Sequence, residues 1–185
     1  MANNDLTDML ESEHRVIEKV VAAASILVEK MDAGQEMEVK TLHKLVDFMR
    51  TYADQCHHGK EENLLFPALA AKGVPTQGCP LGALTAEHNR GRALVKDLFE
   101  GITAVEDKDM SALEKVRKAL LGITTLYPNH IWKEDFLLFP MTNKVLAAQE
   151  QQAFIVSFNQ VDDGFGREVL QGFEQFAQEI STITK

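Results

Sequence analysis

Two segments of this 185-residue chain place a glutamate four positions after a histidine: His57 with Glu61, and His130 with Glu134. Residues four apart lie on one face of a helix, one turn from each other. An imidazole and a carboxylate at that spacing can reach one metal ion or two adjacent ions. This donor pair suits first-row metals such as iron, manganese, cobalt and zinc. One such pair alone is commonplace and often forms only a surface ion pair.

The two segments belong to an internal repeat. HHGKEENLLFP (57–67) and HIWKEDFLLFP (130–140) share seven of eleven residues, and LESEH (10–14) corresponds to LTAEH (84–88). Each half therefore carries a Glu-His pair and, about forty residues later, a His-x-x-x-Glu unit. A buried cluster of these polar groups would be costly without an ion. The repeat thus predicts a metal site with six ligands from both halves: His14, His57, Glu61, His88, His130 and Glu134.

Each half of the repeat has the pattern of two helices. Apolar spacing and turn residues predict helices from Thr7 to a turn at 32–35, and then over about 38–71, 81–105 and 110–148. The histidines lie near the start of the first and third helices and near the end of the second and fourth. They share one layer only if neighbouring helices run antiparallel. The expected fold is all-α: an up-down-up-down four-helix bundle built from a duplicated helical hairpin.

Residues beyond the repeat have a helical pattern of their own. Phenylalanines and valines recur every three or four positions over about 150–183, which predicts one further amphipathic helix. We therefore expect residues 1–148 to form the bundle and residues 149–185 to pack on it as a C-terminal helix. Prolines at 67, 128 and 140 fall inside helical patterns, where kinks or local breaks are expected.

Composition narrows the classes of partner and location. The formal net charge of −9 argues against nucleic acid and against an anionic membrane surface, since both need a basic face. No stretch approaches 18 apolar residues, and the N-terminus lacks the pattern of a secretory signal. Two cysteines do not make a disulfide framework. A cytoplasmic protein is expected, with a core large enough that a bound metal would serve function rather than folding.

The order His, HxxxE, His, HxxxE, together with the HHxKEE and LLFP strings, resembles the hemerythrin-like domain, also called the HHE cation-binding domain. The resemblance covers about residues 6–148. It implies a four-helix bundle with a non-haem di-iron centre. By this resemblance Glu61 and Glu134 would bridge two iron ions, aided by an oxo or hydroxo group. His14 and His57 would bind one ion, and His88 and His130 the other.

The sequence departs from the oxygen-carrying hemerythrins of marine invertebrates. Those proteins have HxxxH on the third helix, whereas Arg92 stands four residues after His88 here. The fourth helix carries HxxxE instead of HxxxxD, so the chain resembles a more symmetric bacterial branch with fewer ligands. Reversible oxygen carriage is therefore less expected. A ferritin-type site, which repeats Glu-x-x-His, is disfavoured because Thr85 occupies the matching position.

Three functions remain open from the sequence. The first is a binding or sensing protein whose di-iron site takes up oxygen, nitric oxide, peroxide or iron itself. The second is a di-iron enzyme of oxidative or nitrosative stress, which would decompose peroxide, reduce nitric oxide or donate iron for iron–sulfur repair. The third is a purely structural bundle, or one holding zinc. The site alone does not separate binding from turnover, and the sequence leaves the oligomeric state open.

Neighbours of the six residues receive separate predictions. His58 is turned by about 100° from His57 on an α-helix, and Ile131 occupies its place in the other half, so His58 is not expected to be a ligand. Lys60 and Lys133 are expected at the surface, and Trp132 in the core. Four adjacent carboxylates either orient the imidazoles or face solvent: Glu13, Glu62, Glu87 and Asp135. Tyr127 either packs in the core or donates a hydrogen bond to a bound ligand.

Overall fold

The structure, a computed structural model, describes residues 6–182, which are helical apart from short connections. Helix α1 spans Leu6–Asp32. Helix α2 is a continuous run over 39–71, made of α-helical Val39–Phe48, π-helical Met49–His58 and Glu61–Leu65, and α-helical Phe66–Ala71. Helix α3 spans Leu81–Glu106.

The second long helix of the other half is likewise a continuous helix that contains a π-helical turn. Helix α4 covers 110–145, made of a 3₁₀ turn at Met110–Ala112, α-helical Leu113–Lys133, π-helical Glu134–Leu138 and α-helical Phe139–Val145. Helices α5 and α6 follow at Ala148–Phe165 and Arg167–Thr182. The prediction of an all-helical chain is confirmed. No helix of the described residues is long and apolar enough to span a membrane.

The C-terminal segment differs from its prediction. One helix was expected over about 150–183, but Gly166 separates α5 from α6. Gly166 has a φ of 90°, a left-handed conformation that glycine adopts without a steric cost and that commonly ends a helix. The apolar spacing continues on both sides of Gly166 and therefore concealed the break. Residue 183 and the two that follow lie outside the described residues, as do residues 1–5.

Both copies of the repeat widen into a π-helical turn immediately before the Phe-Pro pair. These turns cover Glu61–Leu65 and Glu134–Leu138, and the amide of the following phenylalanine bonds to the glutamate carbonyl five residues earlier. Proline lacks an N–H and crowds the turn before it, and a single π-helical turn is one way for a helix to absorb this disturbance. The candidate ligands Glu61 and Glu134 are the first residues of these turns.

The apolar core lies on both sides of the predicted metal layer. One cluster surrounds Ile17 on α1 and Val95 on α3, and a second surrounds Leu10 and Leu84 near the Leu-Leu-Phe-Pro ends. Helix α4 packs on α1 and α3, α2 packs on α3, and α6 lies along α1. These contacts bury the side chains of the layer between the two clusters.

Helix α5 covers a lysine that the sequence placed at the surface. The Lys60 side chain is fully buried, with Nζ 2.5 Å from Asp162 Oδ1 on α5 and paired also with Glu13 on α1. The prediction that Lys60 lies at the surface is therefore wrong. Asp162 on α5 supplies a carboxylate that compensates for the cost of burying the Lys60 cation. Lys133, its counterpart, is partly exposed. Trp132 was expected in the core but is about half exposed, at 53%.

Removal of the Asp162 carboxylate is expected to destabilise the fold. Asp162→Ala leaves the buried Lys60 cation with one partner instead of two, and we expect a loss of about 3 kcal/mol in the free energy of unfolding. Asp163→Ala is the matched control, since Asp163 makes an exposed i,i+4 pair with Arg167. This substitution should cost less than about 0.5 kcal/mol. Urea denaturation measures both, and equal losses would contradict the proposed role of Asp162.

Candidate metal centre

Four helices bring the six predicted ligands into one buried layer. Helix α1 contributes a histidine, α3 contributes another, and α2 and α4 each contribute a histidine and a glutamate one turn apart. None of the six is more than 3% exposed: His14, His57, Glu61, His88, His130 and Glu134.

The imidazoles face each other in two pairs. Nε2 of His14 lies 3.0 Å from Nε2 of His57, and Nε2 of His88 lies 3.2 Å from Nε2 of His130. The first pair joins α1 to α2, and the second joins α3 to α4. Two nitrogen atoms at this distance cannot both present lone pairs unless a proton or another cation lies between them. The repeat thus produces two equivalent positions for a positive charge.

The two carboxylates lie between these imidazole pairs. Glu134 Oε2 is 3.2 Å from His14 Nε2 and Oε1 is 3.6 Å from His88 Nε2, so one carboxylate approaches both pairs. Glu61 Oε2 is 3.5 Å from His88 Nε2 and 3.9 Å from His57 Nε2. A carboxylate in this position can bridge two cations.

Two glutamates just before the α1 and α3 histidines fix the imidazoles of the other pair of helices. Glu13 Oε2 lies 2.8 Å from Nδ1 of His57, and Glu87 Oε2 lies 3.1 Å from Nδ1 of His130. Lys60 pairs in turn with Glu13, and Lys133 with Glu87.

The remaining two imidazoles have the same kind of partner. Asp135 Oδ1 lies 2.6 Å from Nδ1 of His14, and Glu62 Oε1 lies 2.7 Å from Nδ1 of His88. Arginine side chains hold these carboxylates: Arg15 pairs with Asp135, and Arg92 donates to Glu62 at 2.9 Å.

All four histidines therefore donate Nδ1–H outward to a carboxylate. This hydrogen-bond pattern assigns the tautomer, and it leaves each Nε2 lone pair directed at the centre. Metal-binding histidines in proteins have this arrangement, which orients the ring and raises the basicity of the ligating nitrogen. The alternative that the four outer carboxylates face solvent is wrong, because each has a histidine partner.

Aromatic rings stack on the faces of two of the imidazoles. Phe139 stacks on His14 and Phe66 on His88, with ring centroids 5.4 and 5.8 Å apart and planes 15° from parallel. The two phenylalanines are equivalent residues of the Leu-Leu-Phe-Pro strings. The string therefore positions ligands as well as filling the core.

The described residues leave both central carboxylates without hydrogen bonds. All four oxygen atoms of Glu61 and Glu134 are buried and lack a hydrogen-bond partner among the residues described. Uncompensated burial of such groups is costly. Four imidazole nitrogens and four carboxylate oxygens in a buried centre fit a pair of cations with nitrogen and oxygen ligands.

Proton binding compensates for part of this charge in the metal-free protein. Burial alone would lower the pKa of His14, but Asp135 and Glu134 overcome that effect and raise it to about 10. Burial lowers the pKa of His57 to about 4, so the first pair holds one proton. Burial and the neighbouring Glu134 raise the pKa of Glu61 well above its usual range. Burial opposes ionisation of Glu134 too, but His130 and His14 hold its pKa well below the usual range.

A seventh residue lies in the same layer. His58 is buried, and a ring nitrogen lies within 4.8 Å of nitrogens of His88 and His130, while the other potential ligands group around His14 and His57. Burial, followed by the neighbouring His88, lowers the pKa of His58, so its imidazole is neutral. The sequence prediction took the rotation from His57 as a reason to leave His58 out of the layer, but Ile131, its counterpart in the α-helical part of α4, is buried as well, so both positions face inward. The doubled histidine was the available signal.

Comparison with known proteins agrees with this arrangement. Residues 5–142 match the hemerythrin HHE cation-binding domain. The chain belongs to this family. It is 23% identical over 176 residues to uncharacterized proteins of Mycobacterium bovis and Mycobacterium tuberculosis, over 95% of this chain and 68% of each relative. No solved structure is significantly similar to the chain.

Family membership confirms the resemblance inferred from the HxxxE repeat. The domain is a helical bundle that binds cations, and the buried His/Glu clusters of this chain supply suitable ligands. A purely structural bundle without a metal is therefore disfavoured.

Metal-free protein is expected to lose stability as the pH rises from 7 to 9. The folded-state pKa of His14 is raised to about 10, whereas that of an unfolded histidine is about 6.5. Its stabilising contribution is complete below the unfolded pKa and disappears as the pH rises through the folded one. We expect a loss of about 2 kcal/mol in the free energy of unfolding over this interval, measured by urea denaturation.

His14→Leu should reduce this pH dependence, and bound metal should reduce it as well, because a cation then takes the place of the proton. His43→Leu, at a partly exposed histidine outside the layer, should leave it unchanged. The interpretation would be wrong if His14→Leu and the unaltered chain lost stability equally.

Proposed function

We propose that this chain is a non-haem di-iron protein that binds a small ligand, either a diatomic gas or peroxide. In this proposal residues 1–148 form an up-down-up-down four-helix bundle, and residues 149–185 pack on it. His14 and His57 bind one iron ion, His88 and His130 bind the other, and Glu61 and Glu134 bridge them. The observation that carries the proposal is the pair of buried carboxylates without hydrogen bonds, each within 4 Å of nitrogens from both histidine pairs.

The donor set favours iron over structural zinc. Structural zinc sites are closed and four-coordinate, and they commonly include thiolates. This layer offers six nitrogen and oxygen ligands with bridging carboxylates, and no cysteine among the described residues enters it. Burial raises the pKa of the nearby Cys56 thiol to about 12, so it stays protonated, and its Sγ faces Asp162 at 3.4 Å.

A cavity with room for a small ligand opens next to His58, at the edge of the layer. Its volume is about 240 Å³, and its lining includes Asp54, His58, Gly91, Arg92 and Tyr127. A Cβ on Gly91 would lie 3.2 Å from the Tyr127 hydroxyl, so glycine keeps this wall clear. Burial raises the pKa of Tyr127, and the hydroxyl therefore remains a hydrogen-bond donor. Bound iron would supply redox equivalents and coordination positions for a diatomic ligand or peroxide.

Purified protein is expected to contain two iron atoms per chain and, when oxidised, to absorb in the near ultraviolet through charge transfer from oxygen ligands. Changing Glu61 and Glu134 together to alanine should remove most of the iron and leave helix content largely intact, because the apolar clusters on both sides persist. Elemental analysis and circular dichroism measure the two effects. Glu18→Ala with Glu114→Ala, at exposed glutamates of α1 and α4, is the matched control.

Protein that carries no metal after growth in iron-rich medium would refute the proposal. Unaltered iron content in the Glu61/Glu134 variant would refute the bridging role alone.

The anaerobically reduced protein should form a stable adduct with one of oxygen, nitric oxide or peroxide. Separate exposure to each compound, followed by absorption spectroscopy, identifies the ligand. Continuous consumption of peroxide or nitric oxide at catalytic protein concentration would replace the binding function with an enzyme of oxidative or nitrosative stress.

A further inference from the structure

A line of alternating charges connects the C-terminal segment to one of the predicted iron ligands. Nζ of Lys60 on α2 is 2.5 Å from Oδ1 of Asp162 on α5, and it also pairs with Oε1 of Glu13 on α1. Oε2 of the same glutamate lies 2.8 Å from Nδ1 of His57. Asp162 is therefore linked to the His57 imidazole through two side chains, and three helices contribute to the line.

Helix α5 brings both a carboxylate and an aromatic ring to Lys60. Phe158, one turn before Asp162, is fully buried, and Nζ of Lys60 lies 6.0 Å from the centroid of its ring. The thiol of Cys56 donates to Oδ1 of Asp162 at 3.4 Å. Since the Lys60 side chain is fully buried, its ammonium depends on carboxylates for compensation of its charge.

The second half of the repeat has a corresponding line with a different outer end. Oε2 of Glu87 lies 3.1 Å from Nδ1 of His130, and Lys133 pairs with Glu87. In the part of the chain that the structure describes, this line ends at Lys133, whose side chain is 36% exposed. The two ends of the layer therefore share a glutamate and a lysine, and Asp162 distinguishes them.

The charge of Asp162 affects how strongly Glu13 holds the His57 imidazole. An ammonium that pairs with two carboxylates divides its attraction between them, so Glu13 keeps more negative charge for the hydrogen bond from His57. A strongly accepting carboxylate orients the ring of a metal-binding histidine and raises the basicity of its other nitrogen. Without the Asp162 charge, Lys60 would draw on Glu13 alone, and the bond from Nε2 of His57 to a cation would weaken.

We propose that Asp162 is a positioning residue for the iron ion that His14 and His57 hold. Acting through Lys60 and Glu13, it strengthens the bond between His57 and that ion. The inference rests on the proposed di-iron function and extends it. The repeat alone would make the two ions alike, and helix α5 supports one of them through this line of charges.

Proton NMR of the iron(II)-loaded protein resolves the individual imidazoles. An imidazole bound to paramagnetic iron through Nε2 keeps its Nδ1 proton, so each ligating histidine gives one strongly shifted, solvent-exchangeable resonance. Glu13→Gln should shift the resonance of His57 and thereby identifies it, and Glu87→Gln identifies that of His130 in the same way. Asp162→Asn keeps an oxygen acceptor and removes the charge. We expect it to move the His57 resonance and to leave the His130 resonance in place.

Release of iron to a chelator provides a second measurement. Asp162→Asn should release its first iron atom roughly tenfold faster than the unaltered chain, because support of a metal-binding histidine is weakened. Asp162→Glu retains the charge and should release iron more slowly than Asp162→Asn. Asp163→Asn, at an exposed carboxylate one residue further along α5, should match the unaltered chain in both measurements.

An unmoved His57 resonance in Asp162→Asn would overturn the proposal. Equal movement of the His57 and His130 resonances would overturn it as well, since that pattern indicates a general loss of stability. The unaltered chain provides a test that does not depend on the folding of a variant: the Nδ1 proton of His57 should exchange with solvent more slowly than that of His130, and equal exchange would contradict the proposal. Absence of bound iron in the unaltered chain would instead refute the di-iron function itself.

Discussion

The outward hydrogen bond from each imidazole is the constraint on which the rest of this structure depends. Nδ1 of all four predicted histidine ligands is bound to a carboxylate, so every Nε2 must face a centre that also contains two buried glutamates. Such a centre is stable only when cations neutralise it. The outer carboxylates need support in turn, which Lys60 and Arg92 provide on α2 and α3. The charges of the layer therefore alternate outward: the outer carboxylates hold the imidazoles, and lysine and arginine side chains hold the outer carboxylates.

Burial of apolar side chains in the helices offsets the free-energy cost of burying the charged layer. The core is divided into two clusters by the layer, and each cluster draws on several helices. The polar residues therefore occupy a thin section of a bundle that is otherwise densely apolar. Without metal, the raised pKa of His14 places a proton between the facing imidazoles of the first pair, so the same geometry tolerates both states. Binding of a cation at this pair would therefore have to displace that proton.

The sequence was sufficient to predict the features that obey simple periodicity. An i,i+4 spacing and an internal repeat placed six side chains on inward faces at one height, and the structure brings those side chains together. Residue spacing did not predict three other features: the exposure of Trp132, the burial of Lys60 and the position of His58. Lys60 is buried because Asp162, more than a hundred residues later, covers it, and local sequence does not encode that contact. His58 is buried because α3 and α4 place the rings of His88, Tyr127 and His130 against it, and local sequence does not encode those contacts.

The two ends of the layer differ at positions where the two halves of the repeat carry different residues or contacts. Asp162 reaches Lys60 on α2, whereas Lys133 on α4 stays partly exposed and pairs with Glu87. His58 lies beside the cavity, whereas its counterpart Ile131 belongs to the apolar core. Both departures affect α2, so one helix carries the extra imidazole and the extra contact with the C-terminal segment. Duplication thus accounts for two similar positions in the layer, and a few unmatched residues on a single helix give those positions different surroundings.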